Sequence, residues 1–122
     1  MTRHRVPLEH AATFQRQAAQ AMEVLRQRDG FRSGVVGRAT DDPQLWAVVT
    51  EWDDVGSLRR ALSNFDVKMG AVPLLATAMD EPTAFEALVR ARPDGLREQA
   101  SDRAADADTA GPARGPDGGV HG

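Results

Sequence analysis

Hydrophobic positions recur at helical spacing early in the chain: Phe14, Ala18, Met22 and Leu25 lie three or four residues apart. Pro7 suits the start of such a helix, and Glu9 puts an anion where the helix dipole favours one. Arg26 and Arg28 complement the far end, and Gly30 can supply a left-handed cap. A helix is therefore predicted over roughly residues 8–28, after "HRV" (4–6), which looks like the end of a strand. The pattern then changes. "FRSGVVGRA" (31–39) and "QLWAVVTEW" (44–52) flank "TDDP", a turn signature, and predict a hairpin. Asp53 or Asp54 can cap a second helix, in which Leu58, Ala61, Leu62 and Phe65 fall at i, i+3, i+4 and i+7. "FDVKMGAVPLLATAM" predicts short helical pieces, with Pro73 breaking any single long helix and suited to begin the second piece. In "TAFEALVR" (83–90), Phe85, Ala87 and Val89 alternate with Ala84, Glu86, Leu88 and Arg90, which predicts a last strand. The order β-α-β-β-α-β with an antiparallel sheet is the ferredoxin-like split-βαβ arrangement, an α+β fold.

The central strand carries a second message. Leu45, Ala47 and Val49 share one face, while Trp46, Val48, Thr50 and Trp52 share the other. Helices cover one side of such a sheet, and both sides here are largely apolar. A buried Trp removes ~150–250 Å² from water, too much to leave exposed without reason. Sheet-to-sheet packing of a second copy would cover the open face, so a homodimer is expected.

Composition narrows the picture. From Pro93 onward the chain holds six glycines, three prolines and five aspartates, with Leu96 and Val120 its only large aliphatics. Such a segment buries too little apolar surface to offset its chain entropy. Residues 93–122 are thus expected to be a disordered tail, and residues 1–92 the working domain. Of the chain's 15 basic and 18 acidic residues, three and six fall in that tail, leaving twelve of each in the domain. That balance gives no phosphate footprint, and nucleic acid is not an expected partner. Cysteine is absent, which excludes disulfides, thiolate catalysis and cysteine metal sites. "MTRHRVPLEH" has no apolar signal core, and the nearly apolar run at 71–79 is far short of the ~20 residues that span a bilayer. No membrane partner is expected, and the cytoplasm is the default setting.

With those elements placed, the chain resembles an antibiotic biosynthesis monooxygenase (ABM) domain of the dimeric α/β-barrel superfamily. The resemblance runs from about residue 2 to 90. It rests on "RDGFRSGVVGRATDDPQLWAVVTEWDDVGSLRRAL", which holds a Gly-Phe start to strand two, a hairpin, and a strand ending in Trp before the second helix. "DVKMGAVPLLATAMDEPTAFEAL" is similar to the closing segment of a subgroup of that family. The resemblance implies a dimeric α/β barrel. Several members oxidise electron-rich aromatics such as polyketide anthrones without metal or flavin, so no cofactor is expected. In them the substrate's own carbanion reduces O₂, and the pocket deprotonates, positions and excludes water. Other members degrade haem, with an Asn on the first strand, a Trp at the end of the third and a His on the next helix. Trp52 matches that Trp, but the Asn position falls at Thr2 and the His position near Ala61 or Leu62, so haem degradation is not expected. The pocket Asn and Tyr of the anthrone oxygenases also lack counterparts: the chain has no Tyr, and its single Asn is Asn64.

The candidate residues follow, each with a plainer alternative. Trp52 is either a pocket wall or a strand-end cap on the core, and Trp46 is core, dimer contact or ligand contact. Arg38 is either a cation that orients an acidic phenol or enolate, or an exposed strand-end arginine. His4 is either a general base suited to neutral pH or a structural histidine. Phe14 and Phe85 are the further lining expected around Trp52. Glu51 is a base only if buried, and Arg59–Arg60 are the solvent face of helix two. His4, His10 and His121 are too scattered for a metal site. The glycines at 30, 34 and 37 form no phosphate loop. Two functions stand side by side: a cofactor-independent monooxygenase for a hydrophobic aromatic, and a non-catalytic dimeric barrel that binds a ligand or assembles.

Overall fold

The computed structural model describes residues 1–101. They belong to two compact units that divide after Glu81. The first unit begins with β1 (Thr2–Arg5) and a 3₁₀ turn at Leu8–His10, followed by α1 (Ala11–Leu25). The hairpin β2 (Phe31–Ala39) and β3 (Asp42–Trp52) comes next, then α2 (Val55–Ser63), α3 (Phe65–Gly70) and α4 (Val72–Leu75). The three strands form one antiparallel sheet in the order β1-β3-β2. This is the α+β architecture that the sequence pattern predicts.

Helix α1 buries Phe14, Ala18, Ala21 and Leu25 against Trp46 and Val48 of β3, with Val67, Ala71 and Leu74 closing the core. The expected helix at 8–28 is thus shorter, because its first turn is 3₁₀. The hairpin turns at Thr40–Asp41, where Ala39 faces Asp42. Asp54 rather than Asp53 caps α2: its carboxylate accepts from the Ser57 backbone N–H (2.7 Å) and hydroxyl (2.9 Å). Phe65, which the spacing assigns to the second helix, is 72 % exposed. The reason is local: Asn64 leaves helical geometry (ψ 139°) and caps α3, so Phe65 begins a new helix on a different face. Pro73 stands in the first turn of α4, as its fixed φ allows.

The last expected strand is corrected. After α4 the chain returns along β1, where the Met79 N–H donates to the Arg3 carbonyl (2.8 Å) and Glu81 takes a bidentate pair from Arg3 (2.7 and 2.8 Å). Residues 83–88 have no regular structure. In the second unit β4 (Val89–Arg92) pairs with β5 (Gly95–Glu98) in a separate two-stranded sheet. The expected boundary at residue 92 falls inside this hairpin, whose second strand takes residues 95–98. Pro93 presets the turn and Gly95 takes positive φ (157°), so a partner two residues away competes with a distant one. The rest of the expected tail, 102–122, lies outside the described residues.

The two faces of β3 behave differently. Trp46 and Val48 are buried beneath the helices, while Val49 and its cross-strand partner Val35 are 37 % and 62 % exposed on the opposite face. No described helix is long and apolar enough to cross a membrane.

Candidate functional site

Among the described residues His4 is the polar residue that the fold buries most completely, at 1 % exposure. It faces Trp46 directly across the β1–β3 ladder, and Arg38 faces Trp46 from the other side. Three strands therefore put His4, Trp46 and Arg38 in one row on the helix-facing side. Phe14 of α1 packs onto that row, its ring centroid 5.2 Å from those of both His4 and Trp46. The Arg38 guanidinium lies 4.6 Å from the Trp46 ring centroid, a cation–π contact that holds an otherwise exposed side chain.

The hydrogen bonds around His4 fix its tautomer. The Thr77 hydroxyl donates its one proton to the Leu74 carbonyl (2.7 Å). It can then only accept from His4 Nδ1, 3.0 Å away, so Nδ1 carries the imidazole proton. Nε2 keeps its lone pair and accepts from the Thr2 hydroxyl at 2.8 Å. Burial holds the His4 pKa below the ordinary 6.5, opposed by the backbone of Thr77. The result is a neutral imidazole with a basic nitrogen aimed at a half-buried hydroxyl. The Trp46 indole N–H, also buried, has no hydrogen-bond partner among the described residues.

The other expected site residues are placed differently. Trp52 is half-buried at the core's rim, edge-on to Phe31 (centroids 5.2 Å, 89°), and its indole N–H donates to Thr50 Oγ1 (2.9 Å). Phe85 falls in the second unit and is 57 % exposed, so the cluster in the first unit is built without it. Glu51 accepts from the Ser33 hydroxyl (2.9 Å) on the sheet face opposite the helices. His10 is exposed before α1, and His121 lies outside the described residues. Among the described residues no three His, Asp or Glu side chains are grouped to hold a metal. Both hydrogen-bond partners of His4 come from the fold. Thr2 was legible as an i+2 neighbour on the same strand face, whereas Thr77 is 73 residues away and carries no local signal.

The sequence model of the family described as antibiotic biosynthesis monooxygenase matches residues 1–69, more than half of the chain and the whole of the three-stranded sheet. The chain belongs to this family. The ABM match takes in His4, Phe14, Arg38, Trp46 and Trp52. Solved structures resemble the ABM chain in fold. A conserved protein from Methanosarcina mazei Go1 aligns at 23 % identity over 68 % of this chain and 81 % of its own, with a TM-score of 0.56. SnoaB, a cofactor-independent oxygenase from Streptomyces nogalater, aligns at 24 % identity over 71 % of this chain and 88 % of its own, with a TM-score of 0.53. No curated protein matches the sequence.

Proposed function

We propose that this ABM protein is a cytoplasmic, cofactor-independent monooxygenase that oxidises a small, hydrophobic, polyketide-like aromatic and works as a homodimer. The observation that carries the reading is the His4 cluster: a neutral, tautomerically fixed imidazole set beside Phe14 and Trp46, with Arg38 across the indole. An electron-rich aromatic with an acidic C–H or O–H needs these chemical elements, namely aromatic surface, a proton acceptor and a cation for the resulting enolate or phenolate. His4 is too buried to meet a substrate itself and acts through the Thr2 hydroxyl. That hydroxyl passes its proton to Nε2 as it takes one from the substrate. For an anthrone methylene, the carbanion gives an electron to O₂, the radical pair closes to a hydroperoxide, and loss of water leaves a ketone. One O₂ is consumed and one water released, and both electron pairs come from the substrate. The family match and the fold shared with a cofactor-independent oxygenase support this chemistry.

The test is O₂ uptake with a panel of anthrones and hydroquinones. Wild-type protein is expected to exceed the spontaneous rate with at least one of them. His4→Gln should reduce that excess by about 10²-fold or more, the usual scale of general-base catalysis. Arg38→Gln, which removes the exposed cation over the indole, should raise KM more than it lowers kcat. A wild-type rate equal to background across the panel overturns the oxygenase reading in favour of a non-catalytic ligand-binding barrel.

A further inference from the structure

The first unit also carries a concavity of about 410 Å³ that the oxygenase reading does not use, lined among others by Arg28, Asp29, Arg59, Arg60, Ser63 and Asn64. Three guanidinium groups against one carboxylate leave this lining with a net charge of +2. The backbone of both walls is hydrogen-bonded. Gly30 takes positive φ (88°), and a Cβ there would collide with the Ser57 side chain, so glycine lets the loop after α1 close against α2. The Arg28 N–H donates to Leu25 (3.0 Å), and its carbonyl accepts from the Phe31 N–H (3.2 Å). On the other wall Asp54 locks the first turn of α2, and Arg59 and Arg60 project from the turn that follows. The Ser63 hydroxyl donates to the Arg59 carbonyl (3.1 Å), and Asn64 Oδ1 accepts from the Val67 N–H (3.2 Å).

The pairing of the arginines is uneven. Arg3, Arg5, Arg26 and Arg32 each meet a carboxylate at 2.7 or 2.8 Å. Arg60 is turned toward Ser57 (3.3 Å) and Asp54. Among the described residues, Arg28 and Arg59 have no ion-pair partner. Unmatched cations gathered in one hollow repel each other, and a bound anion would relieve that repulsion. A guanidinium fork matches phosphate oxygens in bidentate geometry. The volume lies within the roughly 300–1,000 Å³ range of small-molecule sites, leaving room for an organic group beside the anion.

We propose that this hollow binds a small phosphorylated metabolite through a diphosphate or phosphate ester, with Arg28 and Arg59 as the clamp and Arg60 in support. The site stands apart from the oxygenase reading and does not require it. Inorganic pyrophosphate, inorganic phosphate and citrate, titrated into the full chain with amide NMR as the readout, test it. Pyrophosphate should bind saturably at one site and shift the amides of Gly30, Ser63 and Asn64. Arg28→Gln/Arg59→Gln should weaken that binding by about tenfold or more, while Arg16→Gln, an exposed change on α1 outside the hollow's lining, leaves it unchanged. Arg59→Gln alone, on an exposed helix face, gives a folded comparison should the double variant misfold, and should weaken binding in the same direction. Unsaturable shifts spread over the surface, equal binding by the clamp variants, or an equal loss with Arg16→Gln overturns the site. Citrate binding as tight as that of pyrophosphate overturns the phosphate assignment.

Discussion

One hydroxyl proton decides the state of His4. Because Thr77 donates to Leu74, the imidazole must donate from Nδ1 and accept at Nε2. This neutral, buried state has a consequence for stability. Burial lowers the folded-state pKa below 6.5, so between the folded and unfolded values the unfolded chain binds more protons. Stability from His4 is therefore complete above about pH 6.5 and declines as pH falls below that value, levelling once the folded-state pKa is passed. Urea midpoints measured from pH 7.5 downward should show this slope in wild type, and His4→Gln should lack it. The lowered carboxylates Glu81, Asp42, Asp54 and Glu23 act in a separate window: their support is lost only below their ordinary values of 3.8–4.5. A His4→Gln slope equal to that of wild type near pH 6 would show that the imidazole is not the group responsible. At this scale the residue types were legible and their partnerships were not. "HRV" marks a strand with a histidine on it, but nothing local in the sequence pairs that histidine with residue 77.

At the scale of elements, short-range rules decide most of the outcome. Helix α1 follows from its apolar spacing, the β2–β3 hairpin from the turn signature, and the α2 start from an aspartate three residues before Ser57. Asp54→Ala should lower stability by about 1 kcal/mol, the usual cost of losing an N-cap, read as a drop in urea midpoint at unchanged m-value. Asp53→Ala, whose carboxylate accepts from Arg32 on the surface (2.7 Å), should change stability by much less. Equal effects of the two would remove the cap assignment. The same local rules mislead twice. Phe65 continues the helical period of α2 but sits beyond the Asn64 break, and the alternation at 83–90 resembles a sheet strand although a proline–glycine turn supplies a nearer partner at 95–98.

For the molecule as a whole, the unfinished feature is the sheet face opposite the helices. Val35 and Val49 stand directly opposite one another on it, both exposed, with Gly37 and Ala47 beside them. A second copy placed there would bury these residues and enlarge a small core, which supports the proposed homodimer. Native mass spectrometry should find about twice 13.2 kDa for wild type. Val35→Lys, which puts a charge at the centre of that face, should weaken the dimer by about tenfold or more while helical circular dichroism persists. A wild-type monomer at micromolar concentration would remove the argument from this face.

The sequence by itself determined the helices and strands of residues 1–81 to within a few residues, that β3 has two apolar faces, and, through residues 1–69, the family. These depend on periodicity, caps and turns, whose interactions reach only a few residues along the chain. Tertiary structure alone decided that Trp46 rather than Trp52 stands with His4, Phe14 and Arg38, and that Thr77 fixes the imidazole proton. It alone also brought Arg28 to the same hollow as Arg59. Each of those depends on strand register or on the close approach of separate elements, and only the packed chain sets either.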